Sequence, residues 1–556
     1  MRRLALIAVL LSSPALAQPQ ISRETLQWVT QQLSSDAFEG RAPGTQGEAR
    51  TVELIAQEFQ RAGLQPGNNG SWFQDVPLVE ITLQGSPQLR IAGGSGAPTA
   101  FAYRTDFVGT SYRAQPRVAV ENSDIVFVGY GINAPERGWN DYEGVDVRGK
   151  TVVILVNDPD WSASGLEGPF GGRAMTYYGR WTYKFEEAAR QGAAAALIVH
   201  DTAPASYGWN VVENSWTGPQ PYMQTPNDGA DQTAMNGWLS HDAARRLLAA
   251  GGQDLDALSR AAAQRGFRAV PLAGLRASVT LDNQVRRFAS RNVVGILPGT
   301  SRGDEYVLYT AHWDHLGICR EEGPSTPPAA SLRTGEDRIC NGATDNASGT
   351  AALVALAEAN ARTGATSRSQ VFVAVTAEES GLLGSAYYAA NPIYPLSLTA
   401  GGINIDSLQL AGDARDAYAV GAGKSELDAY LQRAARAENL TLTPEPAPEA
   451  GYYYRSDHFS LAKRGVPMVY AKLGPDLVNG GRTAGLAAQE DYRANRYHAP
   501  GDEYDPAWNW DGAVHEVRLL YRIGRELAES EAWPNWNQGD EFRAIRDRSR
   551  AEQLLR

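Results

Sequence analysis

Two glutamates stand side by side where an apolar run stops: Glu378 and Glu379 in VTAEESGLLGS, residues 375–385. Like charges on neighbouring residues repel, and a strand end is often partly buried, so something must neutralise them or one must hold a proton. Other groups of suitable chemistry follow similar apolar runs. His312 and Asp314 follow VLYTA, Asp345 lies in NGATDNASG ahead of a helical stretch, Asp406 follows GGINI, and His498 lies in RYHAPGDEYD. Histidine nitrogens and carboxylate oxygens suit a borderline divalent cation, zinc first. The set is large for one ion. Two ions sharing a carboxylate would use it fully and offset the local negative charge. Adjacent side chains leaving extended backbone point to opposite sides, so one glutamate can bind metal while the other stays free as a base. Each residue also has an ordinary reading: Asp345 alone suits a helix cap and Asp406 alone a turn. His200, His241, His315, His458 and His515 are left to such ordinary roles.

These residues need elements that bring them together. From RNVVGILPGT (291–300) onward, strands and helices alternate. EYVLYTAH, SQVFVAVTAEE, AGGINIDS and VPMVYAKL read as strands; ASGTAALVALAEANAR, SELDAYLQRAARAENL and GAVHEVRLLYRIGRELAES read as helices. Such alternation indicates an α/β fold, a mostly parallel twisted sheet flanked by helices. Ligands of open α/β sheets bind beyond the carboxyl ends of the strands, where several of the acids and histidines fall. Earlier, EARTVELIAQEFQRAGL places Val52, Ile55, Ala56 and Phe59 at helical spacing, with Gly63 as a C-terminal cap. Residues 70–112 alternate like short strands. From 113 to 285 the character changes: short apolar strands such as DIVFVGYGI and KTVVILVNDP stand among aromatic, Gly-rich stretches. That segment reads as a small mixed domain with long loops. The tail from Asn535 is charged and helical.

The chain of 556 residues has room for two to four domains. Its 43% apolar and 21% charged content is that of a globular protein, and a net charge of −12 argues against a general nucleic-acid binder. The opening MRRLALIAVLLSSPALAQPQ reads as a secretory signal: Arg2 and Arg3, an apolar stretch from Leu4 to Leu11, and a cleavage site after Ala17. The apolar run is too short to span a membrane, and no cysteine follows for lipid attachment. An exported protein without a membrane anchor, periplasmic or secreted, is expected. In an oxidising compartment Cys319 and Cys340 can pair.

AHWDHLG, NGATDNASG, TAEESGLLGS, NIDS, YYRSDHFSLAKRGVP and YHAPGDEYD, in that order over about 290–530, resemble the di-zinc aminopeptidase and glutamate carboxypeptidase family of metallopeptidases. That family also contains glutaminyl cyclases and the inactive transferrin receptor. SSDAFEGRAPGTQGEA, within 24–112, resembles the start of the same catalytic domain, and 113–285 resembles an inserted protease-associated domain. The resemblance implies a zinc exopeptidase fold divided as 1–17 signal, 18–112 and 286–530 peptidase domain, 113–285 insert, and 531–556 helical tail. It implies two zinc ions, one bound by His312 and Asp406, the other by Glu379 and His498, with Asp345 bridging. Glu378 becomes the general base, and Asp314 accepts a hydrogen bond from His312 and fixes its tautomer. Tyr453, between Tyr452 and Tyr454, becomes the donor to the tetrahedral intermediate.

The implied function is an exported aminopeptidase acting on peptides through a metal-bridging water. A carboxypeptidase or dipeptidase of the same family would need a cation aimed at the substrate carboxylate, for which Arg173, Arg180 and Arg455 are candidates. A catalytically dead binding protein is disfavoured because the ligand set and base are complete, and a cyclase because cyclases of this family work with one zinc. No oligomeric state is assigned. The chain departs from the pattern in the loop CREEGPSTPPAASLRTGEDRIC, expected at the rim of the site. A Cys319–Cys340 bond would close it, which loop-closure arguments put at roughly 3 kcal/mol.

Overall fold

A computed structural model describes residues 20–93, 99–319 and 337–555. The expected signal segment 1–17 and most of the loop between Cys319 and Cys340 lie outside the described residues. Three strands, Arg302–His312, Arg368–Val375 and Thr399–Asn404, run parallel, with Thr310 opposite both Val373 and Asn404. Arg368–Val375 and Thr399–Asn404 are buried along their whole length. That is why their sequences read as continuous apolar runs and not as alternation. Met468–Val469 extends the sheet in parallel on the outer side.

On the inner side lies a strand of 28 residues, Val270–Leu297. Its last part pairs antiparallel with Arg368–Val375 and its first part with Arg117–Phe127. Beyond it the sheet is parallel again through Arg117–Phe127, Thr151–Leu155, Ala195–Val199 and Met235–Leu239, and ends on antiparallel Phe107–Thr110. The path is therefore two parallel blocks joined by one long antiparallel strand. The expected boundary at 285 falls inside this strand. The strands Gln88–Ala92, Thr99–Ala102 and Phe107–Thr110, which precede 113, pair in the second block. A strand that serves two cores in turn carries no break in composition to mark the join.

Helices cover the first block. Gln46–Arg61 buries Val52, Ile55, Ala56 and Phe59, the positions its spacing selects. Gly349–Thr363 is buried almost all round, from Ala351 through Ala359, as expected for an apolar helix without a polar face. Asp511–Glu529 packs Val517, Leu520, Gly524 and Leu527 inward. At Gly524 a Cβ would stand 2.1 Å from the Tyr309 hydroxyl, so only glycine lets this helix lie so close to the sheet. Among the described residues no helix is long and apolar enough to cross a membrane.

Candidate metal centre

The carboxyl ends of the three parallel strands lie side by side, and each delivers a candidate group. His312 ends its strand, Glu378 and Glu379 follow Arg368–Val375, and Asp406 follows Thr399–Asn404. Asp345 comes from the turn Ala343–Ser348, at the N-terminus of the helix Gly349–Thr363. His498 comes from the loop after the helix Gly481–Asn495, with φ at 55°. Non-glycine residues held in that region cluster at functional sites.

Asp345 faces two ways. Its Oδ1 is 3.3 Å from His312 Nε2 and its Oδ2 is 3.3 Å from His498 Nε2. His312 Nε2 is also 3.7 Å from Asp406 Oδ1 and 3.9 Å from Glu378 Oε2. His498 Nε2 is 3.1 Å from Glu379 Oε2. His312, Asp345 and Asp406 thus converge on one point, with ligand atoms within 4.8 Å of one another. Asp345, Glu379 and His498 converge beside it.

His315, left to an ordinary role by the sequence, belongs to this second group. Its Nδ1 lies 2.7 Å from Glu379 Oε1, and it forms a ligand-spaced group with Asp345 and Glu379. It is 1% exposed.

Three further residues hold these groups in place. Asp314 does so differently from expectation. Its carboxylate is 3.7 Å from His312 Nδ1, too far for a hydrogen bond, and the backbone carbonyl of Asp314 lies nearer, at 3.2 Å. The carboxylate instead accepts the backbone N–H groups of Glu378 at 3.0 Å and Glu379 at 3.4 Å. The strand end turns there, leaving those amides without a ladder partner, and a buried carboxylate satisfies them. Asp502 plays the matching part under Asp345: it accepts the N–H of Asp345 at 3.0 Å and that of Thr344. Arg41 is fully buried and donates to the carbonyls of Trp313, Leu33, Asn341 and Gly342. It therefore ties the His312 strand end to the Asp345 turn.

The two glutamates have opposite electrostatics. Burial pushes the Glu378 carboxyl well above its usual range; His312 opposes this, and the Glu379 and Asp406 charges add to it. Burial also disfavours a charged Glu379, but His498 and His315 outweigh burial and the Asp345 charge and hold it at about 2. The surroundings are rich in carboxylate: Asp314, Asp345, Asp406, Asp457 and Asp502 cluster around the pair, with Arg41 the buried guanidinium among them. His312 Nε2 and His315 Nε2 are buried without a hydrogen-bond partner among the described residues. Orphaned imidazole nitrogens amid converging carboxylate oxygens fit divalent cations, and the mixed nitrogen and oxygen donors fit zinc.

The centre opens into a cavity of about 940 Å³. Its wall includes Asp345, Glu378, Asp406 and His498, and Ser206 of the second block. Tyr453 does not line it. Its ring is 4% exposed, packed on His458 at 4.5 Å and under Lys424 at 5.3 Å. Tyr452 and Tyr470 are on the wall instead, and Tyr470 Oη donates to the Asp406 carbonyl at 3.3 Å. The residues Tyr452–Tyr454 form one 3-10 turn, so consecutive rings diverge and spacing alone does not choose among them. Of the candidate arginines, Arg173 pairs with Glu449, while Arg455 lines the cavity. Cys319 and Cys340 form a disulfide, with Cα atoms 5.7 Å apart, beside the paired strands Gly317–Ile318 and Ile339–Cys340.

Residues 292–522 match the sequence model of peptidase family M28. Among solved structures, the chain is similar to an aminopeptidase from Aneurinibacillus sp. strain AM-1, at 19% identity over 91% of this chain and 94% of that one, with a TM-score of 0.46. It is also similar to BSAP, a zinc aminopeptidase from Bacillus subtilis, at 17% identity over 94% and 98%, TM-score 0.39. A third is a peptidase M28 precursor from Shewanella amazonensis SB2B, at 17% identity over 92% and 98%, TM-score 0.38. No curated protein matches the chain.

Proposed function

We propose that this chain, whose residues 292–522 match the model of peptidase family M28, is an exported di-zinc exopeptidase, and specifically an aminopeptidase. The observation that carries the reading is the two-sided placement of Asp345 between His312 and His498. A carboxylate so placed can serve two cations at once, with Asp406 completing one group and Glu379 the other. His315 sits close enough to Glu379 to orient it or to share its cation. Zinc bound there would supply Lewis acidity toward the scissile carbonyl and would acidify water.

The protein's own part in the reaction falls to Glu378. Its carboxylate reaches the cavity from the same strand end as Glu379, and burial raises its proton affinity. A carboxylate of raised basicity is suited to take a proton from the attacking water and to deliver it to the leaving nitrogen. Asp314 would keep Glu378 and Glu379 pointing apart through their backbone amides. In this reading the segment from about 113 to 285 acts as a protease-associated insert. It supplies Ser206 to the cavity wall and limits the cavity to chain ends and short peptides.

The test compares one peptide with a free and with an acetylated N-terminus. An aminopeptidase releases N-terminal residues from the first and leaves the second intact. Release of C-terminal residues from the acetylated peptide would replace this reading with a carboxypeptidase.

A further inference from the structure

We propose that Arg455, on the wall of this cavity and backed by Arg180, forms a carboxylate subsite, one that takes the free C-terminus of a short peptide while its N-terminal bond lies at the metal centre. The inference rests on the aminopeptidase reading and names its substrate class: dipeptides and tripeptides.

Most cations on the cavity wall are already engaged. Lys472 donates to the Asp406 carbonyl at 2.8 Å, Arg493 pairs with Glu490, and Arg496 pairs with Asp491 at 2.6 Å. Arg455 differs. Its guanidinium packs against the Tyr452 ring at 5.5 Å, and among the described residues its side chain has no hydrogen bond and no carboxylate partner. Its neighbour is another arginine. Arg180 stands at the start of the helix Trp181–Arg190 in the second block, and its Nε is buried without a partner. Burial, with Arg455 adding to it, lowers the Arg180 pKa to about 10. Two guanidinium groups that repel one another, one with an orphaned donor and one on the wall of the catalytic cavity, are the arrangement an incoming anion relieves. Their planar forks match a carboxylate in bidentate fashion.

The size of the cavity favours a terminal carboxylate. The cavity, about 940 Å³, is at the upper end of small-ligand sites. A peptide with its scissile bond beside Glu378 and its far end on Arg455 must then be short. An acidic side chain offers the same chemistry from a different place on the substrate, so the experiment separates the two.

Values of kcat/KM are measured for Ala-Ala, Ala-Ala-amide, Ala-Asp-amide, Ala-Asn-amide, and a decapeptide in acid and amide forms. Alanine p-nitroanilide reports the aminopeptidase reaction alone. The wild-type protein should prefer Ala-Ala over its amide by roughly ten- to a hundredfold, the range of charge-assisted hydrogen bonds. The decapeptide pair should show no preference. Arg455→Gln, an exposed position, should bring the dipeptide ratio to within about twofold of unity. Arg180→Gln should reduce it as well; if that variant does not fold, the wild-type and Arg455→Gln ratios still decide. A wild-type ratio near one, or a ratio unchanged in Arg455→Gln, overturns the subsite. A preference for Ala-Asp-amide over Ala-Asn-amide that equals or exceeds the terminal effect overturns the C-terminal assignment. Inactivity toward alanine p-nitroanilide and every free-amine peptide would instead overturn the underlying reading.

Discussion

Replacing Arg41 with methionine keeps an apolar stem and removes the guanidinium that joins the ligand-bearing loops. Arg41 Nε lies 2.8 Å from the Trp313 carbonyl, Nη1 2.7 Å from that of Leu33, and Nη2 2.9 Å from that of Gly342, while Nη1 also reaches Asn341. Each charge-assisted hydrogen bond contributes about 1.5–3 kcal/mol, and each carbonyl left buried and unpaired costs about 1–3 kcal/mol. Simple addition overshoots, because the buried guanidinium already carries a desolvation penalty, visible in its pKa of about 10. The better guide is removal of one member of a buried charged network, about 3–5 kcal/mol. Against a total stability of roughly 5–15 kcal/mol that is a large fraction. Urea unfolding followed by tryptophan fluorescence should show a midpoint lowered accordingly, with zinc content reduced because the Asp345 turn is no longer tied to the His312 strand. Arg41→Lys, a single ammonium with no planar fork, should recover less than half of the loss. A loss below about 1 kcal/mol with full zinc content in Arg41→Met would refute the view that this residue organises the centre.

Chelation with EDTA or phenanthroline should abolish activity, zinc should restore it, and metal analysis should give about two zinc ions per chain; one zinc in a fully active chain would contradict the bridging role of Asp345. Because a base works deprotonated, kcat/KM should fall as pH falls through the Glu378 pKa, on which burial and the bound cations act in opposite directions. An acid limb that persists unchanged in Glu378→Gln would assign the proton transfer to another group. Cys319 and Cys340 should resist alkylation until the native protein is reduced, and reduction should loosen the loop they close more than it unfolds the domain, since the disulfide lies at a two-stranded ribbon and not in the central sheet.

What was legible in the sequence followed from periodicity and from chain order. The apolar runs ending at His312, Val375 and Asn404 mark buried parallel strands, and the polar residues just past them fall at the sheet edge where a site forms. Groups beyond those strand ends were harder to place. His315 lies past its strand, where alternation no longer says which way a side chain points, and only the folded loop brings it to Glu379. The acceptor role of the Asp314 carboxylate toward Glu378 and Glu379 depends on backbone amides freed by a turn, which spacing does not reveal. Arg41 and Asp502 act on residues far along the chain, so nothing local links them to Asp345. Tyr453 sits in a run of three tyrosines on one tight turn, and packing against Lys424 and His458 turns it away from the cavity. The join at Val270–Leu297 was hidden because one continuous strand crosses it.

The central claim is that Glu378 and Glu379, adjacent in sequence, do different work, and the direct measurement is zinc content against kcat in Glu378→Gln and Glu379→Ala. Glutamine at 378 keeps size and hydrogen bonding but cannot accept a proton. Both zinc ions should remain, the fold should be unchanged, and kcat should drop by at least the roughly 10²–10⁴-fold of a lost general base, with substrate binding little affected. Alanine at 379 removes the carboxylate that faces His498 at 3.1 Å, so zinc content should fall and activity with it. Loss of zinc from Glu378→Gln, with retention in Glu379→Ala, would contradict the account.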